Sequence, residues 1–85
     1  MLEQKIQTKI IKKLEADGWL VLKLIKLSKS GYPDLLLLKN GKTMFIEVKQ
    51  PNGILSEIQK FRIKEITELG FQCKVWVDYN VEYNK

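Results

Sequence analysis

Asp34-Leu35-Leu36-Leu37-Leu38-Lys39-Asn40-Gly41-Lys42-Thr43-Met44-Phe45-Ile46-Glu47-Val48-Lys49 sets two apolar runs around an Asn-Gly dipeptide. That dipeptide suits the two positive-φ positions of a tight hairpin turn, so Leu35–Leu38 and Thr43–Lys49 read as antiparallel strands. The unbroken leucine run, bounded by turn residues, predicts a strand buried on both faces. In the second strand side chains alternate, which puts Glu47 and Lys49 on one face and Ile46 and Val48 on the other, towards the core. Asp34 stands at the mouth of the first strand, so the hairpin brings it close to Glu47.

Outward from this hairpin the chain reads as one α/β domain over residues 1–85. Leu2, Ile6, Ile10 and Leu14 recur at four-residue spacing, with Ile11 widening the stripe, and predict an amphipathic helix over 2–17 that stops near Gly18. Trp19–Leu27 reads as a strand with Lys23 and Lys26 at partly solvated positions, and Ser28–Pro33 as a loop. Beyond the hairpin, Gln50-Pro51-Asn52-Gly53 breaks the strand. Ser56 opens a second helix with Gln59 in capping-box spacing, Ile58, Phe61, Ile66 and Leu69 share a face, and Gly70 caps its end. Phe71–Val77 alternates as a last strand. The order αβββαβ implies a mixed, mainly antiparallel central sheet flanked by helices.

Composition narrows the function classes. A single cysteine, Cys73, forms no internal disulfide, and with no histidine there is no cysteine/histidine zinc cluster. A lone cysteine fits a reducing cytoplasm. The longest apolar run, Leu35–Leu38, is far short of the roughly 20 residues that cross a bilayer, and the N-terminus lacks a signal-peptide pattern. The net charge of +5 comes from 15 basic and 10 acidic side chains and suits a polyanion. Fourteen of the 15 basic residues are lysine. Lysine meets phosphate as a point charge, whereas arginine reads base edges bidentately, so backbone and shape should outweigh sequence in any nucleic-acid contact. A chain this short buries only about 60–65% of its unfolded surface, which favours self-association into a homodimer.

Two carboxylates held a few ångströms apart repel, and a hard divalent cation resolves the conflict. Magnesium takes oxygen ligands, and a water it acidifies can attack a phosphodiester. Lys49 is placed to hold that water or to stabilise the charge developing at phosphorus. Without histidine, only a carboxylate–metal route to phosphodiester hydrolysis remains among these schemes.

Tyr32-Pro33-Asp34 followed by Glu47-Val48-Lys49 resembles the PD-(D/E)xK nuclease signature, whose superfamily shares a restriction-endonuclease-like αβββαβ core. Within it the chain resembles the virus-type replication-repair nuclease (VRR-NUC) family through Gly31-Tyr32-Pro33-Asp34-Leu35, Phe45-Ile46-Glu47-Val48-Lys49, and Leu55-Ser56 with Gln59. Helix 1 joins with Glu3, Ile6, Gln7 and Leu14, and only the tail after Tyr79 is unmatched. The resemblance implies that Asp34, Glu47 and the Val48 carbonyl hold Mg2+, with Mn2+ as a substitute. It also implies that Lys49 serves the nucleophile, Glu3 completes the metal site, and Gln59 is the family's helix-2 glutamine. Stand-alone members resemble Holliday-junction resolvases of phages and prophages. The implied partner is therefore branched DNA, cut by a homodimer in the cytoplasm of a bacterial or phage-infected cell, with no small-molecule cofactor and no membrane. A nuclease without junction preference and a non-catalytic DNA-binding subunit on the same fold remain as alternatives.

Several residues carry two readings. Glu3 also suits the helix macrodipole, and Gln59 also suits the capping box. Lys23, Lys26 and Lys29 lead into the loop before Asp34 and are candidates for phosphate contact. Tyr32 either stacks on an unpaired base or fills its turn. Trp19 and Trp76 read as core or dimer interface.

Overall fold

The protein is described by a computed structural model covering residues 2–84. Its elements run α1 (Glu3–Ala16), β1 (Leu20–Lys23), β2 (Leu35–Lys39), β3 (Lys42–Val48), α2 (Glu57–Glu68), β4 (Gln72–Asp78) and β5 (Val81–Glu82). The five strands form one sheet in the order β1-β2-β3-β4-β5. Only β3 and β4, joined through α2, are parallel; the other pairs are antiparallel. Asn40 and Gly41 both adopt positive φ, as the hairpin reading requires.

α1 covers one face of the sheet. Ile6, Ile10 and Leu14 are buried against Leu35, Leu37, Ile46, Val48 and Trp76, so the four-residue stripe becomes the core, with Leu2 left exposed as the N-cap. α2 lies on the opposite face. The Ser56 hydroxyl accepts the Gln59 N–H, which starts α2 where the capping-box spacing predicted. Gly70, at φ +96, ends it with its own N–H on the Thr67 carbonyl and the Phe71 N–H on that of Ile66.

Four expectations need correction. β1 stops at Lys23 instead of Leu27, because the chain opposite offers Pro33, which has no N–H for a ladder. Only the Leu24 N–H continues the pairing, to the Asp34 carbonyl at 2.8 Å. The leucine run is not buried on both faces: Leu35 and Leu37 are fully buried under α1, whereas Leu38 is exposed and Leu36 half-buried. α2 buries Ile66 but leaves Ile58, Phe61 and Leu69 exposed, since it sits over β4 and does not reach across β1 and β2. Finally, the chain makes one more turn after β4 and adds the short β5. Trp76 lies in the core, and Trp19 packs at its margin.

Candidate active site

The site forms where β2 and β3 emerge together. Leu35 pairs with Ile46, so extending the register by two residues sets Pro33 opposite Val48. At this point the Val48 N–H turns to a side chain: the Asp34 carboxylate accepts it at 2.9 Å. Pro33 likewise brings no N–H to the Val48 carbonyl, which points to the same edge as the Val48 N–H. Pro33 thus supplies no donor to continue the ladder at the edge where Asp34 sits.

Glu47 projects from the other face of β3, towards α2, and only 2% of it is exposed. It is the one buried charged residue among those described. Gln59 bridges to it from the first turn of α2. Its side-chain oxygen accepts the Ser56 N–H at 2.9 Å, and its amide nitrogen donates to the Glu47 carboxyl at 3.1 Å. The two readings of Gln59 are therefore both realised in one side chain. The cap fixes the orientation of the amide and aims its donor at Glu47.

The Lys49 ammonium lies 3.7 Å from the same Glu47 oxygen. That is longer than the roughly 2.7–2.9 Å of a tight charged hydrogen bond. Burial, then the neighbouring Asp34 charge, push the Glu47 carboxyl up from 4.5 to about 8, while Lys49 pulls the other way. Burial also raises Asp34, against the opposing effects of the Val48 N–H, Lys49 and a hydrogen bond with Glu47. At neutral pH without a cation, Glu47 keeps a proton that Asp34 can share. A carboxyl pair held this way fits a divalent cation, whose charge would take the place of that proton. Asp34, Glu47 and the Val48 carbonyl are the oxygen donors the geometry offers.

Glu3 stands half-buried at the start of α1, and its charge adds to the upward pressure on Glu47. Among the described residues no group of three or more Asp, Glu, Cys or His side chains is close enough to hold a metal ion. Lys23 pairs with Leu35 at the end of β1, and Lys26 and Lys29 are exposed in the loop that follows. Tyr32 is engaged within the protein. Its hydroxyl donates to Glu65 at 2.7 Å, and the Arg62 guanidinium lies over its ring at 4.6 Å. Arg62 also donates to the Ser30 carbonyl, so the only arginine ties the loop before Asp34 onto α2. Gly31, at φ +87, makes the same approach, since a Cβ there would lie 2.6 Å from an Ile58 side-chain carbon. Sequence reasoning missed this clamp, because nothing in the spacing of Tyr32, Arg62 and Glu65 announces it.

Asp34 on one hairpin arm, Glu47 and Lys49 on the other and a helix-borne glutamine form the arrangement of the PD-(D/E)xK nuclease class. The model of the VRR-NUC domain matches residues 2–77, and the chain belongs to that family of nucleases. A solved structure titled "VRR_NUC domain" is 32% identical, with a TM-score of 0.82 over 91% of this chain and 85% of that one. No curated protein matches the chain. No helix among the described residues is long and apolar enough to cross a membrane.

Proposed function

We propose that this protein is a divalent-metal-dependent endodeoxyribonuclease that acts as a homodimer on branched DNA such as Holliday junctions. The observation that carries the reading is the pairing of Asp34 and Glu47 across the hairpin, with Lys49 and Gln59 both directed at Glu47. A buried acid beside a second acid is costly unless it serves chemistry or binds a cation.

Asp34, Glu47 and the Val48 carbonyl would hold Mg2+ or Mn2+, which when bound supplies charge neutralisation and an acidified water. The protein's own groups do the rest. Gln59 fixes the Glu47 carboxyl so that both acids face one point. Lys49, with a side chain only 12% exposed, brings a fixed positive charge to the phosphate and to the attacking oxygen. Lys23, at the end of β1, and Lys26 and Lys29, exposed in the loop that leads to Asp34, would meet backbone phosphates, in keeping with recognition by shape.

The test is a panel of end-labelled DNAs. A four-way junction is expected to be cut with Mg2+ or Mn2+ and left intact with chelator, while linear duplex, flap and single strand are cut at least about tenfold more slowly. Lys49→Ala is expected to lower cleavage about a hundredfold, the loss typical of a charge-stabilising donor. Equal cleavage of all substrates would leave a nuclease without junction preference. Binding without cleavage under any divalent ion would leave a DNA-binding subunit.

A junction with two-fold symmetry calls for two matched sites. Support for a dimer comes from the sheet face turned away from α1. There Leu20 pairs with Leu38 and Leu22 with Leu36, and Leu20, Leu22 and Leu38 remain 55%, 42% and 37% exposed. Apolar side chains gathered on a β-surface are an association site rather than scattered exposure. Leu22→Lys is expected to halve the molar mass measured by light scattering without unfolding the domain. A wild-type chain that is monomeric at high micromolar concentration would remove the dimer from this reading.

A further inference from the structure

The chain continues past residue 77, where the family match ends, and what it does there bears on the active site. Asp78 accepts the Tyr79 N–H, Asn80 takes φ +56, and the strand reverses. β5 then pairs Glu82 with Trp76, while the Lys74 ammonium meets the Glu82 carboxylate at 3.4 Å. The Tyr83 N–H donates to the Val75 carbonyl at 2.8 Å. That anchored backbone sends the Tyr83 side chain across to the segment between β3 and α2. Its hydroxyl donates to the Gly53 carbonyl at 2.7 Å, thirty residues away in sequence.

Gly53 sits between the two groups that face Glu47. Upstream, its backbone lies on the Lys49 stem: a Cβ at this position would be 3.4 Å from Lys49 Cδ and 3.1 Å from the Gln50 carbonyl oxygen. The Gly53 N–H closes a turn onto that same carbonyl at 2.9 Å. Downstream, only Ile54 and Leu55 separate it from the Ser56 cap that orients Gln59. The segment Gln50–Leu55 has no helix or strand bonds of its own. What holds it decides where the Lys49 ammonium rests.

We propose that Tyr83, just after the short strand β5 and beyond the family match, is a positioning residue for catalysis that holds the Gly53 backbone against the Lys49 stem. The inference rests on the nuclease reading and makes Lys49 the group through which Tyr83 acts. Without the phenol hydrogen bond, the 50–55 segment can lift and the ammonium is no longer confined beside Glu47. Binding of DNA is expected to be unchanged, because the Tyr83 hydroxyl is spent on the Gly53 carbonyl.

The test uses the full chain with Tyr83→Phe, which keeps the ring and deletes one hydroxyl. Junction cleavage is expected to fall three- to tenfold in kcat with KM within twofold of wild type. In the Lys49→Ala background the same change is expected to have no further effect, since coupled residues are non-additive. Two readouts do not depend on activity: amide exchange at Gly53–Ser56 accelerates about tenfold, and the Lys49 Cε–H resonances shift. An unchanged kcat, a change in KM alone, or an equal loss with and without Lys49 overturns the proposal. If the wild type cuts no DNA at all, the nuclease reading fails; the hold on Lys49 is then judged by exchange and resonance shift alone, and unchanged values overturn it.

Discussion

Glu47→Gln is expected to lower junction cleavage by at least a thousandfold and, at pH 8, to make the metal-free protein more stable than wild type. The loss of activity follows from the site: a carboxamide cannot neutralise a divalent cation. Metal stabilisation of developing charge is worth several kcal/mol, at about 1.36 kcal/mol per tenfold in rate. The gain in stability follows from burial. Glu47 is 2% exposed, and its carboxyl is pushed from 4.5 to about 8. The unfolded chain ionises this group freely above pH 4.5, whereas the folded chain must keep it protonated or bury a charge. At about 1.36 kcal/mol per tenfold in proton affinity, that difference sets an upper limit of about 5 kcal/mol on the penalty at pH 8.

Glutamine has the same shape, accepts the Gln59 amide as Glu47 does and can donate to Asp34, yet never ionises. Thermal melts should therefore show a higher Tm for the variant, with the gap shrinking towards pH 4.5. A variant that still cuts would remove Glu47 from the reaction. A variant less stable at every pH would mean instead that Glu47 is kept for its ion pair with Lys49, since breaking a buried pair leaves an unpaired charge.

The fold was most legible in the sequence where a local rule and a distant requirement agreed. Asn40-Gly41 fixed the hairpin, the four-residue stripe of α1 fixed the core, and Ser56 with Gly70 fixed the ends of α2. The placement of Asp34 beside Glu47 followed from that hairpin alone. Periodicity reports apolar content but not what covers it, so Leu38, Phe61 and Leu69 read as core, whereas α2 sits over β4, leaving Leu38 on β2 open and its own Phe61 and Leu69 exposed. The end of β1 was hidden for a related reason: Leu24–Leu27 has strand composition, but Pro33 across the gap cannot donate to it. Contacts between remote residues leave no periodic trace. Tyr32 with Glu65, Arg62 with Ser30, and Tyr83 with Gly53 each join parts of the chain that only the folded sheet brings together.

Metal affinity is expected to climb about a hundredfold between pH 6 and pH 8 and then level off. In the metal-free protein Glu47 holds its proton more tightly when folded than when unfolded. As pH rises from about 4.5 the unfolded chain loses that proton first, so the fold loses stability up to about pH 8 and no further above it. A divalent cation bound between Asp34 and Glu47 must displace the same proton, and below pH 8 each binding event releases one. Affinity then rises about tenfold for each pH unit until Glu47 is ionised on its own. Burial raises Asp34 as well, which steepens the dependence at the acid end. Cleavage at sub-saturating Mg2+ should follow the same limb, and tenfold more metal should move its midpoint down by about one pH unit. Calorimetric titration at pH 6, 7 and 8 with buffers of different ionisation enthalpy measures both the affinity and the proton released. The increase in Tm on adding Mg2+ should likewise be larger at pH 8 than at pH 6, because tighter binding to the folded state stabilises it more. Affinity that stays flat from pH 6 to pH 8, with no proton released, would place the cation away from Glu47 and undo the assignment of the two acids to one ion.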